Sequence, residues 1–271
     1  MIRVVITGIC GRMGRCITRG IAQQTDMQLV GAIQYPSHPH IGSDAGIVAG
    51  IGDIGVPITG KLDDALQNAD VVIEFSKPKA ALEYLQQVVD TDKAIVIGTT
   101  GFDSDELATV KELASDIRCV MAPNMSLGVN VMIQTLDLIA KALGDDYNIE
   151  VIEAHHSHKV DSPSGTALRL AETVTETLAR DLGEIGIYGR RGIIGVRPKK
   201  QIGIHAVRGG GIAGDHTVLF TTEGEQLSVV HRAHSREAFA KGAIRAARWV
   251  VNAPKGLHDV NEILFHSQKH D

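Results

Sequence analysis

Three imidazoles and one ammonium lie within fifteen residues of this sequence, between Glu153 and Ala167. The side chains concerned are His155, His156, His158 and Lys159. An imidazole can give or take a proton near neutral pH, and an ammonium attracts an anion. Side chains of these types in one short segment predict a site that protonates a small, negatively charged molecule.

The same segment contains the signals of a helix start. Ser162, Pro163 and Ser164 predict a helix opening, with the proline where its missing N–H costs nothing. The backbone N–H groups of Gly165 and Thr166 would then point outward from a helix N-terminus, which favours a bound anion. We therefore expect this segment to hold a small acid by its carboxylate.

The histidines also have less specific interpretations. On a strand, His155 and His156 would point to opposite faces, so only one of them would face a given pocket. By the same alternation, His158 is expected to be solvated or to support the site from outside. The pattern His-His-x-His, without a nearby Cys or Glu at helical spacing, does not predict a zinc site. Three further histidines lack a local motif and are interpreted as structural or loop residues: His216, His231 and His234.

A glycine-rich loop lies between the first predicted strand and the first predicted helix. Gly8, Gly11 and Gly14 follow a GxxGxxG spacing. Glycines in this place permit a tight turn and let the backbone approach a pyrophosphate at the helix N-terminus. A tight strand–helix turn would need glycine even without a ligand. The flanking strand, helix and strand favour the interpretation as a dinucleotide site.

The tip of the second predicted strand departs from the usual dinucleotide fingerprint. About 20 residues after the glycine loop, an acid normally bonds the adenosine ribose. Gln34 and Tyr35 stand there, and neither is the Arg expected for a 2′-phosphate. Gln34 offers hydrogen bonds to a ribose, Tyr35 a ring for adenine, and Lys77 a charge for a phosphate. The choice between NADH and NADPH stays open.

Two further polar segments follow predicted strands, Gly98–Gly101 and Ala122–Ser126. Ligands on open α/β sheets bind beyond the carboxyl ends of the strands. Each segment alone would also fit an ordinary polar turn. Together with the glycine loop, they favour a nicotinamide pocket.

The apolar pattern predicts which elements position these residues. In the first 125 residues, short apolar runs alternate with helical patterns, which predicts an α/β domain with a parallel sheet covered on both faces. Asp103 and Glu106 resemble a capping box for a helix ending near Ala114. Two other helices are predicted in this part of the chain. One contains Met13, Ile17 and Ile21 at four-residue spacing, and the other runs from Pro78 to about Val89. The predicted strands cover 2–7, 29–33, 71–75, 94–97 and 118–121, and 35–60 is predicted to be a loop.

The pattern changes near residue 126, which predicts a domain boundary there. Helices are predicted over 127–143 and 164–182, and a strand over 148–154. Three consecutive strands over 202–208, 217–222 and 226–231, separated by turn residues, predict an antiparallel or mixed sheet. Ser235 is expected to cap a last long helix. We therefore expect a second, smaller α+β domain.

Bulk properties narrow the class of protein. A chain of 271 residues, 44% of them hydrophobic, predicts one large or two modest globular domains. The net charge of −5, without a Lys/Arg-rich run, gives no reason to expect nucleic acid. The three cysteines contain no CxxC spacing and fit free thiols in a reducing cytosol. The N-terminus lacks a signal-peptide pattern, and no apolar run is expected to reach the ~20 residues that cross a bilayer. These features predict a soluble, cytoplasmic protein.

With the glycine loop, Gly98–Gly101, Ala122–Ser126 and Glu153–Ala167 all in order, the chain resembles the 4-hydroxy-tetrahydrodipicolinate reductase family, also called dihydrodipicolinate reductases. Its members act in bacterial and plant lysine biosynthesis. The resemblance spans essentially the whole chain, including Arg208–His216. The string H-H-x-x-K-x-D-x-P-S-G-T-A is highly specific, whereas the glycine loop alone is not.

The resemblance implies a fold and an activity. Residues 1–126 and 236–271 would form a Rossmann-like dinucleotide-binding domain, and 127–235 a substrate-binding and oligomerisation domain with a mixed sheet. The implied reaction is the NADH- or NADPH-dependent reduction of the cyclic dicarboxylate 4-hydroxy-tetrahydrodipicolinate to tetrahydrodipicolinate, with loss of water. The resemblance also implies a homotetramer, and it calls for no metal, membrane or nucleic acid.

Family roles carry over to matching positions of this sequence. His155 would be the proton donor or acceptor and Lys159 a second proton donor, whereas His156, Gly165 and Thr166 would touch the substrate. We expect His155 and Lys159 to converge on the substrate in a cleft between the domains, opposite the nucleotide. Many members carry an acid and often Arg where this chain has Gln34 and Tyr35. The residues expected to line the cofactor, besides Gln34 and Lys77, are Gly8, Ile9, Cys10, Gly11, Arg12, Met13, Gly98, Thr99, Thr100, Ala122, Pro123, Asn124 and Met125.

Two other functions are compatible with parts of the sequence. A non-catalytic protein that senses NAD(H) would use the same glycine loop but would have little reason to keep both His155 and Lys159. A dehydrogenase of another amino-acid intermediate, such as a homoserine or a semialdehyde, would also use the loop. Consumption of NADH with the dicarboxylate substrate distinguishes the first alternative, and inhibition by pyridine-2,6-dicarboxylate distinguishes the second.

Overall fold

The chain forms two compact units, which the computed structural model describes over residues 1–265. The first unit consists of residues 1–127 together with the described residues from Arg236 onward, and the second is Gly128–Ser235. The last six residues of the segment 236–271, which we expected in the nucleotide domain, lie outside the described residues.

The first unit is built on a seven-stranded sheet in which every neighbouring pair is parallel. The strand order is β12-β6-β5-β4-β1-β2-β3. The strands are β1 Ile2–Thr7, β2 Met27–Ile33, β3 Ile58–Thr59, β4 Val71–Glu74, β5 Ala94–Ile97, β6 Arg118–Met121 and β12 Gly256–His258. The helices are α1 Arg12–Ile21, α2 Ala45–Ala49, α3 Asp63–Leu66, α4 Pro78–Val89, α5 Ser104–Ala114, α9 Glu237–Val250 and α10 Val260–Phe265.

The central strands are buried on both faces, which is why their sequences are continuous apolar runs. Every residue of β4 and β5 is buried. One apolar layer joins the sheet to α1 and α9 through residues such as Ile17 and Ala243, and the opposite layer joins it to α4 and α5 through Leu85 and Val110. This architecture confirms the predicted Rossmann-like fold.

The second unit contains a five-stranded mixed sheet, as expected. Its order is β11-β10-β7-β9-β8, with antiparallel pairs on one side of β7 and parallel pairs on the other. The strands are β7 Asn148–His155, β8 Gly186–Tyr188, β9 Ile202–Arg208, β10 Gly214–Thr221 and β11 Gln226–Ala233. The helices are α6 Leu127–Leu143, α7 Gly165–Thr177 and α8 Leu182–Ile185.

One face of this mixed sheet packs against α6 and α7. Buried residues alternate with less buried ones along β7 and β10, as a half-covered sheet requires. Val151 and Phe220 from the sheet, Leu136 from α6 and Leu170 from α7 belong to this core. The sheet therefore presents its other face away from these two helices.

Several sequence predictions were wrong in detail. The segment 35–60 contains α2 and β3, because Asp44 caps a short helix there. The helix predicted over 164–182 ends at Thr177, and Ala179 has a φ of 50°. Pro163 precedes the capping residue Ser164, so it lies ahead of the first helical turn. Five other short elements that lacked a usable pattern were missed: α3, α8, β8, β12 and α10.

The expectation that no apolar run reaches the length of a membrane span was also wrong. Residues Leu127–Asp146 form one helical stretch of 20 residues that, by length and composition alone, is long and apolar enough to cross a bilayer. The stretch contributes Met132, Leu136 and Ala140 to the core of the second unit. Its apolar character is accounted for in part by this packing.

Candidate active site

The strand β7 presents Glu153 and His155 on the same face of the mixed sheet, because side chains two residues apart on a strand share a face. Glu153 is completely buried and His155 is 9% exposed. The same side-chain alternation that buries Val151 also buries the ionisable side chains of Glu153 and His155. The apolar core of the second unit ends at a buried polar cluster.

Glu153 is the centre of this cluster. Its two carboxylate oxygens accept hydrogen bonds from both terminal nitrogens of Arg208, at 2.7 and 2.8 Å. Nδ1 of His155 lies 2.6 Å from Oε2, and the backbone N–H of Ser164 donates to Oε1 at 2.9 Å. Burial alone would raise the pKa of Glu153, but the hydrogen bonds from Arg208, His155 and Ser164 outweigh it and lower the pKa. Glu153 is therefore an anion near neutral pH.

The anionic partner fixes the orientation of the His155 ring. A carboxylate accepts but cannot donate, so Nδ1 of His155 carries the proton that faces Glu153. Nε2, the other ring nitrogen, is left to exchange a proton with a ligand. A carboxylate behind an imidazole is the arrangement that orients a general acid or base.

Two more imidazoles extend the cluster across the sheet. His216 on β10 lies opposite Glu153, and His231 on β11 lies opposite His216. The His216 ring meets the His155 ring edge-on, with centroids 5.2 Å apart, and the His231 ring at 6.4 Å. Burial, and then the charges that His155 and His231 carry when protonated, lower the pKa of His216 to about 4. His216 is therefore uncharged at neutral pH.

The other predicted substrate residues lie on the connection between β7 and α7. His156 is half-buried just beyond the strand, and the Lys159 ammonium lies 2.8 Å from Asp161. Ser164 caps α7 by accepting the N–H of Ala167 at 3.1 Å. A Cβ added at Gly165, the first residue of α7, would meet no atom within 4 Å. The start of α7 therefore has open space in which an anion can approach its backbone.

His158 is exposed, with its ring 6.4 Å from that of His156. This agrees with its interpretation as a solvated residue. Sequence reasoning gave no role to Glu153 or Arg208 and treated His216 only as structural. The position of Glu153, two residues before His155 on a predicted strand, was a usable signal. Nothing in the local sequence pointed to Arg208 or His216.

The residues predicted to line the cofactor lie at one edge of the parallel sheet in the first unit. Because all strands run the same way, their carboxyl ends share that edge. Gly8–Met13 follow β1, Gln34 follows β2, Lys77 follows β4, Gly98–Thr100 follow β5, and Ala122–Met125 follow β6. The structure brings these segments to the same edge of one sheet.

The glycine loop has the geometry of an anion site. Gly8 has a φ of 71°, and a Cβ there would lie 2.1 Å from the Phe75 carbonyl oxygen. A Cβ at Gly14 would lie 2.4 Å from the Gly8 oxygen, so only glycine permits this tight turn. No side chain caps α1, and its first turn carries no acidic residue. The first-turn N–H groups are therefore suited to a pyrophosphate, and these residues fit a dinucleotide.

The segment after β5 is tied to the segment after β4. The ring of Phe75 fills the space where Gly98 lacks a side chain, since a Cβ there would lie 2.1 Å from Cζ. Thr99 is buried, and its Oγ1 accepts the N–H of Ser76 at 2.8 Å. Burial raises the pKa of Glu74, although hydrogen bonds with Ser76 and Thr99 oppose the shift. Thr100 is exposed at the rim.

The segment after β6 is held by α9. A Cβ at Gly242 of α9 would lie 1.7 Å from the Met125 carbonyl oxygen, so glycine is needed for this approach. Asn124 accepts the N–H of Ser126 through Oδ1 at 2.9 Å, and Pro123 is exposed. The turn that we predict to line the cofactor therefore packs closely against the last long helix of the unit.

At the end of β2, Gln34 is half-buried and Tyr35 is 53% exposed. Burial raises the pKa of the Cys10 thiol, opposed by a hydrogen bond with the Gln34 side chain and by the charge of Arg15. The rings of Tyr35 and His38 are 4.9 Å apart, and those of His38 and His40 are 5.4 Å apart. Lys77, at the N-cap of α4, is exposed.

Within residues 1–265, no group of three or more His, Cys, Asp or Glu side chains is arranged to hold a metal ion. The three cysteines are free thiols, with Cys119 buried.

Comparison with known proteins gives a consistent result along the whole chain. Residues 2–125 match the family described as "Dihydrodipicolinate reductase, N-terminus", and residues 128–264 match "Dihydrodipicolinate reductase, C-terminus". A 4-hydroxy-tetrahydrodipicolinate reductase from Syntrophus aciditrophicus is 46% identical over 264 residues, which cover 97% of this chain and 98% of that protein. The protein of the same name from Geotalea daltonii is 45% identical and covers 97% of this chain and 99% of its own length.

Solved structures agree with these matches. A dipicolinate-bound dihydrodipicolinate reductase from Paenisporosarcina sp. TG-14 superposes with a TM-score of 0.73 at 25% identity, covering 96% of this chain and 97% of that one. An amine dehydrogenase from Mycobacterium smegmatis superposes with a TM-score of 0.66 at 13% identity, covering 96% and 95%. The second likeness, at that identity, concerns the fold alone.

Proposed function

This chain belongs to the dihydrodipicolinate reductase family, and we propose that its His155–Thr166 segment performs the chemistry of that family. The reaction is the NAD(P)H-dependent reduction of 4-hydroxy-tetrahydrodipicolinate to tetrahydrodipicolinate, with loss of water, in lysine and diaminopimelate biosynthesis. The proposal concerns which side chains carry it and how.

We assign the proton transfer to His155. Adding hydride to an electron-poor C=C–C=N system leaves electron density that must be protonated. The observation that carries this assignment is the 2.6 Å contact of His155 Nδ1 with the buried anion Glu153, which directs Nε2 to a ligand. When bound, the reduced nicotinamide supplies the hydride, and the chain positions it and manages charge.

We assign the binding of the substrate carboxylates to the residues that follow His155. The Lys159 ammonium attracts the dicarboxylate and is a second proton donor. The N–H groups of Gly165 and Thr166 at the start of α7 hold one carboxylate, and His156 also contacts the substrate. Support comes from the open space at Gly165 and from the 13-residue length of α7, which gives its N-terminus a full helix dipole.

Substitution of the two proton donors tests this assignment. His155→Gln or Lys159→Ala should lower turnover by a factor on the order of 10²–10⁴, the usual scale of general acid catalysis. His158→Gln, at an exposed neighbour, is the control and should leave turnover near that of the wild type. The initial rate of NADH consumption, followed by the absorbance of the reduced nicotinamide, measures the effect. A well-folded double variant with near-normal turnover would show that the assignment is wrong.

We propose that the enzyme accepts both NADH and NADPH. Gln34 carries no charge to repel a 2′-phosphate, and no guanidinium is present at Gln34 or Tyr35 to favour one. His38 Nδ1 accepts the backbone N–H of His40 at 3.1 Å, so in the neutral ring Nε2 carries a proton to donate. His38 thus offers a donor to a ribose hydroxyl or to its phosphate, and Lys77 adds a charge.

Side-by-side titration of NADH and NADPH tests this preference. We expect dissociation constants within about tenfold of each other, equivalent to ~1.4 kcal/mol. His38→Ala should weaken NADPH binding more than NADH binding, whereas His234→Ala, in the second unit, should change neither. A preference of about 100-fold or more for one nucleotide would contradict the proposal.

We also propose that the protein is a cytoplasmic homotetramer assembled through the mixed sheet. The face turned away from α6 and α7 carries Ile152 and Leu219 and also exposes Val207 and Val230, 50% and 48% accessible. Exposed apolar side chains such as these favour association with another copy, although Glu150 and His205 lie on the same face. The free thiols of this chain suit a reducing compartment.

Light scattering in solution tests the assembly. The expected mass is four times that of the 29.0 kDa chain. Val230→Lys should dissociate the assembly, because it places a charge among the exposed apolar side chains of this sheet face. Leu138→Lys on α6, at a residue 68% exposed, is the matched control and should not. A monomeric wild type would contradict this part of the proposal.

A further inference from the structure

Four buried residues of the second unit, Glu153, His155, Ser164 and His216, form a closed ring of contacts. Glu153 bonds His155 at 2.6 Å and the Ser164 backbone N–H at 2.9 Å. Ser164 Oγ lies 3.2 Å from Nε2 of His216, and the His216 ring packs edge-on against His155 at 5.2 Å. All four residues are 9% exposed or less. The family roles assigned above use His155 but leave His216 without a function.

His216 joins two parts of the site that are distant in the sequence. Through its ring edge it touches the proton donor His155 at the end of β7. Through Nε2 it touches Ser164, which caps α7 and so fixes the N–H groups of Gly165 and Thr166. One imidazole therefore links the proton donor to the predicted carboxylate-binding helix start.

The electrostatic surroundings require His216 to be neutral. The ionisable groups that face it are His155 and Glu153 on β7, His231 on β11 and Lys159 beyond β7. Burial is the largest influence and lowers the pKa of His216 to about 4, with His155 and His231 next. A charge on His216 would repel a proton on His155, 5.2 Å away between ring centroids. The neutral ring supports His155 without opposing its protonation.

We propose that His216 is a positioning residue that sets both the His155 ring and the start of α7. The proposal rests on the proposed function, since it assigns roles to the two parts that His216 joins. Its two contacts are chemically different, so they can be removed separately. The ring contact should affect the proton-transfer step, and the Ser164 contact should affect the binding of the dicarboxylate.

Two substitutions separate these contacts. His216→Phe keeps a ring beside His155 but loses the bond to Ser164, so KM for the substrate should rise about fivefold to tenfold with kcat nearly unchanged. His216→Gln keeps an amide that can reach Ser164 but loses the ring. Its kcat should fall up to about tenfold, the scale of an aromatic pair, with KM nearly unchanged. His234→Asn, at an exposed position, is the control and should change neither constant.

A second measurement keeps the inference testable if either variant folds poorly. Ser164→Ala should raise KM as His216→Phe does, and the double variant should add little further, because both remove the same bond. If the variants lower only the melting temperature, or lower kcat and raise KM alike, the positioning role is wrong. Fully additive effects of Ser164→Ala and His216→Phe would also overturn it.

Binding of pyridine-2,6-dicarboxylate distinguishes this inference from the proposed function. Calorimetric titration of the wild type with this planar dicarboxylate needs no turnover. His216→Phe should weaken its binding about as much as it raises KM, and His216→Gln should leave it nearly unchanged. A wild-type protein without reductase activity would refute the proposed function. Equal binding of the dicarboxylate by the wild type and His216→Phe would refute the inference alone.

Discussion

The residue that leaves space for the proposed proton donor, His155, is a glycine, Gly214, which has no side chain. A Cβ placed on Gly214 of β10 would lie 3.1 Å from Nε2 of His155 and 3.5 Å from its Cδ2. The same Cβ would lie 3.7 Å from Cε1 of His216. Nε2 is the nitrogen that Glu153 leaves available for a ligand. The missing side chain therefore permits the His155 ring to occupy its observed position.

Gly214→Ala should displace the His155 ring and lower kcat. Because a shift of about 1 Å in a catalytic group can cost up to about 100-fold, we expect a loss of about 10-fold to 100-fold. Gly211→Ala is the matched control, since a Cβ there would meet no atom within 4 Å. Steady-state kinetics of the two variants provide the measurement. Equal kcat values would show that the ring is not confined by this contact.

Among the elements, the least expected is the ordered segment between β2 and β3. Asp44 holds it together by accepting four backbone N–H groups: Gly46 at 2.8 Å, Ile47 at 3.1 Å, Ile54 at 3.2 Å and Val56 at 2.8 Å. Burial would raise the pKa of Asp44, but these bonds together lower it. One carboxylate thus caps α2 and closes the loop that follows. Because the segment 35–60 is rich in Gly, Pro and His, the sequence predicted a loop there and not this ordered structure.

Asp44→Ala should release the loop after α2 and destabilise the first unit. Loss of a capping carboxylate typically costs about 0.5–2 kcal/mol, and the further bonds to Ile54 and Val56 place this site at the upper end. Asp53→Ala removes a single bond, to the Gly55 N–H at 2.8 Å, and is the control. Hydrogen exchange of the Ile54 and Val56 amides should accelerate in Asp44→Ala only. Unchanged protection of these amides would contradict the role given to Asp44.

In the whole molecule, each compact unit has its own sheet and core. The proposed nucleotide site belongs to one unit and the proposed proton-transfer site to the other. The carboxyl edge of the parallel sheet carries the glycine loop, and the mixed sheet carries Glu153 and His155. The mixed sheet also carries a second ion cluster, around Glu150. Arg190 bonds both oxygens of Glu150 at 2.8 and 2.7 Å, Arg197 bonds it at 2.9 Å, and His205 at 2.7 Å. This cluster ties the loop 189–201 to β7.

The Glu150 cluster should set the acid limit of stability. Burial opposes ionisation, but hydrogen bonds from Arg190, His205 and Arg197 lower the pKa of Glu150 from 4.5 to about 2. A depressed folded-state pKa stabilises the protein above the unfolded value of 4.5, and this contribution is lost as the pH falls towards 2.

Glu150→Gln should therefore lower the melting temperature at pH 7, and its difference from the wild type should shrink between pH 4.5 and about 2. Glu172→Gln is the control, because the Glu172 side chain is 46% exposed and its ion pair with Arg169 is 3.6 Å long. Scanning calorimetry across this pH range measures both. A difference for Glu150→Gln that is independent of pH would contradict the linkage.

The sequence by itself determined the parallel sheet, the bounds of several elements such as β1, β5 and α6, and the segment that carries His155 and Lys159. These features depend on neighbouring residues: continuous apolar runs predict buried strands, and Asp103 with Glu106 forms the predicted capping box of α5. The helix Pro78–Val89 was predicted with its observed bounds for the same reason. Short elements such as β8 and β12 escaped, because three residues carry too little periodicity.

Only the tertiary structure decided what surrounds His155, the proposed proton donor. Ser164 and Arg208 bond Glu153 across separations of 11 and 55 residues, and His216 contacts Ser164 across a separation of 52 residues. Strand pairing of β7 with β9 and β10 places Arg208 opposite His155 and His216 opposite Glu153. No local pattern encodes which residues of distant strands become neighbours, because that choice depends on how the whole sheet assembles and buries its face.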